Sequence, residues 1–170
     1  MKSVCLLLTL LAALPLTGCK GSMKEKQDEN AALVGSWRAK LQFETGPLAA
    51  VRDLEFMYVF NAGGTMTESS NYDANPPVPP AYGVWKKSGP NQYDVKYEFY
   101  STRAGNAAEG ISPGAGWLPA GRGVLFETIT LANDGNSFTS RVRYESFDRA
   151  GKPTADGGTA EGKGIRLLFE

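Results

Sequence analysis

The stretch Gln92-Tyr93-Asp94-Val95-Lys96-Tyr97-Glu98-Phe99 alternates a polar side chain with an apolar one at every step. A period of two places alternate side chains on opposite faces of a strand, so Tyr93, Val95, Tyr97 and Phe99 share a buried face and their polar neighbours meet water. The same alternation groups Trp37, Ala39, Leu41 and Phe43, then Leu54, Phe56, Tyr58 and Phe60, and later Phe138, Ser140, Val142 and Tyr144. Strands with one wet face and one dry face belong to antiparallel sheets.

Working outward, turn residues cluster at Asn61-Ala62-Gly63-Gly64, Ser88-Gly89-Pro90-Asn91, Asn133-Asp134-Gly135-Asn136 and Asp148-Arg149-Ala150-Gly151, each resembling a hairpin connection. They divide the chain into about eight strands, near 36–44, 52–61, 64–71, 81–88, 92–101, 122–132, 137–148 and 159–169. Short turns between consecutive strands favour a meander, and closure removes the two exposed edges. The expected fold is therefore all-β, an antiparallel up-and-down eight-stranded barrel. The sixth strand stays open in parity, because Leu125 and Phe126 compete for the interior and neither face is wholly polar.

Two connections break the pattern. Asp73-Ala74-Asn75-Pro76-Pro77-Val78-Pro79-Pro80 carries four prolines in eight residues and cannot be a central strand. The other, from Arg103 to Arg122, is rich in glycine and alanine and long enough for a lid, a binding rim or a passive insertion. Since strands in a meander alternate direction, both connections fall at one end of the barrel.

The chain carries 18 basic and 18 acidic residues, a balance with nothing to attract nucleic acid. It has no histidine, which removes the commonest general base and the commonest metal ligand. Neither a metal site nor a cofactor is expected, and only carboxylate chemistry remains. Glu55, Asp94, Glu98 and Glu145 fall on the outward face, leaving Glu68 and Glu127 as the only acids worth examining. The glycines between Gly105 and Gly123 match no phosphate-loop spacing. Trp85 and Met57 lie opposite the inward candidates and are expected on the surface.

The N-terminal segment runs from Lys2 through an apolar stretch, Val4 to Pro15, into Leu16-Thr17-Gly18-Cys19. About a dozen apolar residues are too few to span a hydrocarbon core, which takes roughly 20, and the layout is that of a signal peptide. The tetrapeptide resembles the bacterial lipoprotein lipobox. That resemblance implies cleavage before Cys19, a diacylglyceryl thioether on its sulfur, further acylation with a chain such as palmitate, and attachment to the cell envelope. Lys20 is not the aspartate that resembles an inner-membrane retention signal, which favours the outer membrane. The expected organisation is a signal peptide over 1–18, the lipidated Cys19 with a polar tether over 19–30, and a single barrel domain over 31–170. Both cysteines lie at or before the lipidation point, so the domain has no disulfide.

Gly35-Ser36-Trp37 resembles the G-x-W opening of the lipocalins and related calycin barrels. In that family the Trp closes the barrel base against a basic residue near the last strand, a role the resemblance gives here to Trp37 and Arg166. A longer match, through Phe60-Asn61-Ala62-Gly63-Gly64-Thr65, Gly83-Val84-Trp85-Lys86-Lys87 and Gly135-Asn136-Ser137-Phe138, is similar to a group of small secreted bacterial β-proteins. It implies a fold and a compartment without a mechanism.

An eight-stranded barrel is just wide enough to be filled by side chains or to hold one small ligand. Buried phenols need hydrogen-bond partners, so several tyrosines facing one cavity make an apolar site with convergent polar groups. The expected ligand-binding interior comprises Trp37, Phe56, Tyr58, Tyr97, Phe99 and Tyr144. The function expected is that of a lipid-anchored envelope binding protein, not an enzyme, with a small apolar ligand and the membrane as its partners. Its alternative is an interaction protein with a filled barrel that binds a protein or glycan through its loops, and a cyclase or isomerase on such a barrel is a remote third.

Overall fold

The computed structural model describes residues 32–72, 79–109 and 116–169. The signal segment, Cys19 and the tether lie outside these residues, as does most of the proline-rich stretch.

Eight strands follow one another: β1 (Gly35–Phe43), β2 (Leu54–Phe60), β3 (Thr65–Ser70), β4 (Ala81–Lys87), β5 (Gln92–Ala104), β6 (Trp117–Leu131), β7 (Ser137–Asp148) and β8 (Pro153–Arg166). Each pairs antiparallel with the next, and β8 returns to β1, closing an up-and-down barrel. All four turn signals sit at hairpin connections, and Asn61 N–H donating to Thr65 O at 2.9 Å closes the first of them. Single 3-10 turns, Pro47–Ala50 and Ala107–Glu109, lie in the β1–β2 and β5–β6 connections.

Three boundaries depart from the alternation. β5 runs on to Ala104 and β6 begins at Trp117, with Thr102 opposite Pro119 and Arg103 opposite Leu118. Both ends of the Arg103–Arg122 segment therefore continue the barrel wall as paired strands, and residues 105–116 separate them. A register shift between Ser101 and Thr102 absorbs Ala120, a bulge that lets the ladder run through a Gly- and Pro-bearing segment. β8 starts at Pro153, six residues before the alternation becomes visible, because Gly157 and Gly158 carry no side chain to mark a face.

The interior holds the four alternating sets named above, most of them buried. Trp85 lies inside as well: it is buried, its indole N–H reaches Thr65 O at 3.1 Å, and its ring meets Phe60 and Tyr93 at 6.0 and 5.8 Å. The expectation of a surface Trp85 fails because β4 is apolar on both faces, with Tyr82 and Val84 the exposed pair. Met57 is exposed as expected. In β6 the parity resolves to Leu125, Glu127, Ile129 and Leu131 inward, opposite Tyr97, Val95, Tyr93 and the β4–β5 turn.

So many rings fit because glycines sit beside them on the neighbouring strand, Gly164 paired with Phe138 and Gly123 with Phe99. A Cβ on Gly164 would lie 2.2 Å from Phe138 Cζ, and one on Gly123 would lie 2.3 Å from Phe99 Cζ. Fully burying such a ring contributes about 1.5–3 kcal/mol.

Candidate functional site

Alternating strand direction gives the barrel two different ends. At the lower end, where β1 begins and β8 finishes, Arg166 lies opposite Trp37 in the ladder and its guanidinium stacks 4.2 Å from the indole ring. The guanidinium also donates to Val34 O at 2.7 Å, Gly135 O at 3.0 Å and Ala32 O. Trp37 Nε1–H donates to Leu33 O at 2.9 Å, and the indole packs on Phe138 at 5.2 Å. Leu33 and Trp37 are both fully buried, so this end is plugged.

Midway up, two phenols and a carboxyl meet. Tyr58 and Tyr97 donate their hydroxyls to Glu127 Oε2 at 3.1 and 3.0 Å, and the two phenol oxygens are 3.3 Å apart. Each phenol has one proton to give, so with both spent on Glu127 the short oxygen–oxygen contact carries no further bond. Burial raises the Glu127 pKa, with the hydroxyls of Ser140, Tyr97 and Tyr58 opposing the rise. Burial and the neighbouring Glu127 likewise hold the two phenols well above their usual range, so both stay protonated.

Above this layer the barrel is hollow. A cavity of about 430 Å³ opens at the end that carries the β1–β2, β3–β4, β5–β6 and β7–β8 connections. Phe56, Phe99, Leu125 and Tyr144 form its wall, and Phe99 stacks on Tyr144 at 6.1 Å with the rings 16° apart. Asn71 ties its rim, donating to Asp53 O at 2.9 Å and accepting from Glu55 N–H at 2.8 Å. Asp53 takes a positive φ of 55° there, a conformation that Asp tolerates better than most side chains.

Glu68 also lines the cavity, opposite Tyr58 and Ala81 in the ladders of β3. It is buried, and no donor among the described residues reaches its Oε1. Loss of solvation and then repulsion by Glu127 raise its pKa from 4.5 to about 8, so at neutral pH the empty site holds Glu68 mostly protonated. The outward acids behave as surface groups: Glu55, Glu98 and Glu145 each pair with a cation, Lys40, Lys96 and Arg143 respectively.

Of the six residues expected to form a binding interior, Phe56, Phe99 and Tyr144 line the cavity. Trp37 belongs to the plug at the far end, and Tyr58 and Tyr97 are sealed beneath, their hydroxyls committed to Glu127. Most of the lining, including Leu54, Leu125 and the buried Glu68, is missing from that set. The direction of Glu68 was open in the sequence because Met66-Thr67-Glu68-Ser69 has a single large apolar residue to set the parity.

The fold and this geometry define a class: a closed eight-stranded up-and-down barrel, filled in its lower half and hollow above. No protein-family model, curated protein or solved structure matches the chain.

Proposed function

We propose that this is a lipid-anchored binding protein of the bacterial cell envelope, which holds a small apolar or amphipathic molecule in the upper half of its barrel without chemically changing it. The cavity carries this reading: about 430 Å³, open at one end, walled by aromatic and aliphatic side chains with few polar groups. Sites for small molecules commonly measure roughly 300–1,000 Å³ and have this composition. The lipobox-like Leu16-Thr17-Gly18-Cys19 supports the anchor on Cys19, Lys20 in place of a retention aspartate favours the outer membrane, and the G-x-W opening supports kinship with lipocalin-like carriers.

Native mass spectrometry of the domain from Ser22 onward, gently purified and then denatured, tests the cavity. A stoichiometric small molecule released on unfolding is the expected result. A clean ligand-free mass, with no thermal shift against fatty acids, sterols or aromatic metabolites, would shift the reading to an envelope interaction protein. The exposed Tyr82, Val84 and Tyr100 beside Pro79 and Pro80 would then be its contact face. Metabolic labelling with an alkyne palmitate should mark the wild type and spare Cys19→Ala; an unlabelled wild type would remove the anchor from the proposal.

A further inference from the structure

We infer that the cavity's occupant is an amphipathic organic cation, its ammonium group seated on Glu68 and its apolar body held among Phe56, Phe99 and Tyr144. This rests on the cavity being a binding site and names the chemistry it selects.

Charge is the first support. Among the described residues the cavity lining includes two carboxyls, Glu68 inside and Asp156 on the strand β8, and no lysine or arginine. Every ion pair among the described residues is on the outer surface or in the loops, and Arg166 is spent on the plug at the opposite end. An anionic ligand would bring like charge to Asp156 and would hold Glu68 in its neutral form, with no cation in the lining to offset it.

The second support is hydrogen bonding. Among the described residues Glu68 Oε1 is buried without a hydrogen-bond partner, and so is Thr102 Oγ1 in the same lining. A buried acceptor left unmade is costly. A wholly apolar ligand would leave the Glu68 carboxyl without a partner, whereas an ammonium in the cavity brings donors to that carboxyl. The surrounding ring faces add attraction for a cation.

The third support separates an organic cation from a metal ion. No group of three or more His, Cys, Asp or Glu residues converges among the described residues. One carboxylate amid hydrocarbon suits a single positive charge on a greasy body.

Protonation then couples to binding. The groups facing Glu68 are Tyr58 from β2, Tyr97 from β5 and Glu127 from β6, and the two phenols keep their protons. In the empty site Glu68 holds its proton up to about pH 8. An incoming ammonium stabilises the carboxylate, so Glu68 gives that proton to solvent as the ion pair forms. Affinity for the ammonium should therefore rise about tenfold per pH unit from pH 6 and level off near pH 8.

The test uses the intact protein in phosphatidylcholine nanodiscs, with empty discs as blank, and isothermal titration with tryptamine, tryptophol and indole-3-propanoate at pH 8. Tryptamine should bind at least tenfold more tightly than tryptophol, with the propanoate weakest. In Glu68→Gln the preference for tryptamine should vanish while tryptophol binding persists. Wild-type titrations at pH 6.5 in buffers of different ionisation enthalpy should report release of close to one proton per tryptamine, a readout independent of any variant's folding. Equal binding of tryptamine and tryptophol, or tryptamine binding without proton release, overturns the cation assignment and leaves the cavity reading intact. If none of the three binds, the assignment fails, and failure of the cavity reading itself would show separately as a ligand-free native mass.

Discussion

Replacing Glu68 by Gln should stabilise the protein, and by an amount that grows with pH. The folded chain holds the Glu68 proton up to about pH 8, whereas the unfolded chain releases it near 4.5. Between those values the unfolded state binds fewer protons, so wild-type stability falls as pH rises, by about 1.4 kcal/mol per unit. From pH 4.5 to 7 the loss is about 3 kcal/mol as an upper figure, and above pH 8 it stops growing. Gln has the same shape and no proton to lose, so the two proteins should be nearly equal in stability at pH 4.5 and diverge above it. Glu127 remains in both, so the comparison removes its slope except for the part that arises from repulsion between the two acids. Urea unfolding read by the fluorescence of the buried Trp37 and Trp85 measures this directly. With a denaturant slope of about 2 kcal/mol per molar, the midpoints should separate by roughly 1.5 M at pH 7. A separation that stays constant from pH 4.5 to 8 would refute the account of Glu68 as a buried, unpartnered acid.

Arg166→Met removes the stack on Trp37 and three hydrogen bonds to backbone carbonyls, and should lower stability by about 2–4 kcal/mol; an unchanged melting temperature would show that the plug does not depend on the guanidinium. Gly123→Val puts carbon where Phe99 lies 2.3 Å and Tyr144 2.9 Å from the built Cβ, forcing both rings toward the cavity. Such overpacking costs about 1–3 kcal/mol, and circular dichroism should keep its β signature while ligand binding falls at least tenfold. Binding that survived intact would place the ligand elsewhere.

How legible this was in the sequence depended on contrast between neighbouring side chains. In Gln92–Phe99 every step changes polarity, and the strand, its faces and its turns were all readable. In β4 the run Ala81-Tyr82-Gly83-Val84-Trp85 has no polar side chain to mark the wet face, and Trp85 was placed on the wrong side. Glu127 stands out in the sequence only by elimination, and its partners are not legible there. An acid is normally taken to face water, and only tertiary structure shows that two tyrosines from strands far away in sequence meet it inside. The pairing of Thr102 with Pro119 is not legible in the sequence, because proline and glycine signal a loop unless a bulge accommodates them. The cavity could not be read from spacing, since whether a barrel is filled depends on how rings pack across it, and here that depends on glycines on the neighbouring strands.

The chain enters the first strand and leaves the last one at the plugged end, where Ala32 and Val34 are held by Arg166. A linker joined directly before Ala32 or after Arg166 therefore leaves from the end of the barrel away from the opening. The protein held through either linker would present the same free aperture. Surface-based binding assays can thus be run in both orientations, and agreement between them would show that the opening stays accessible when either terminus is fixed.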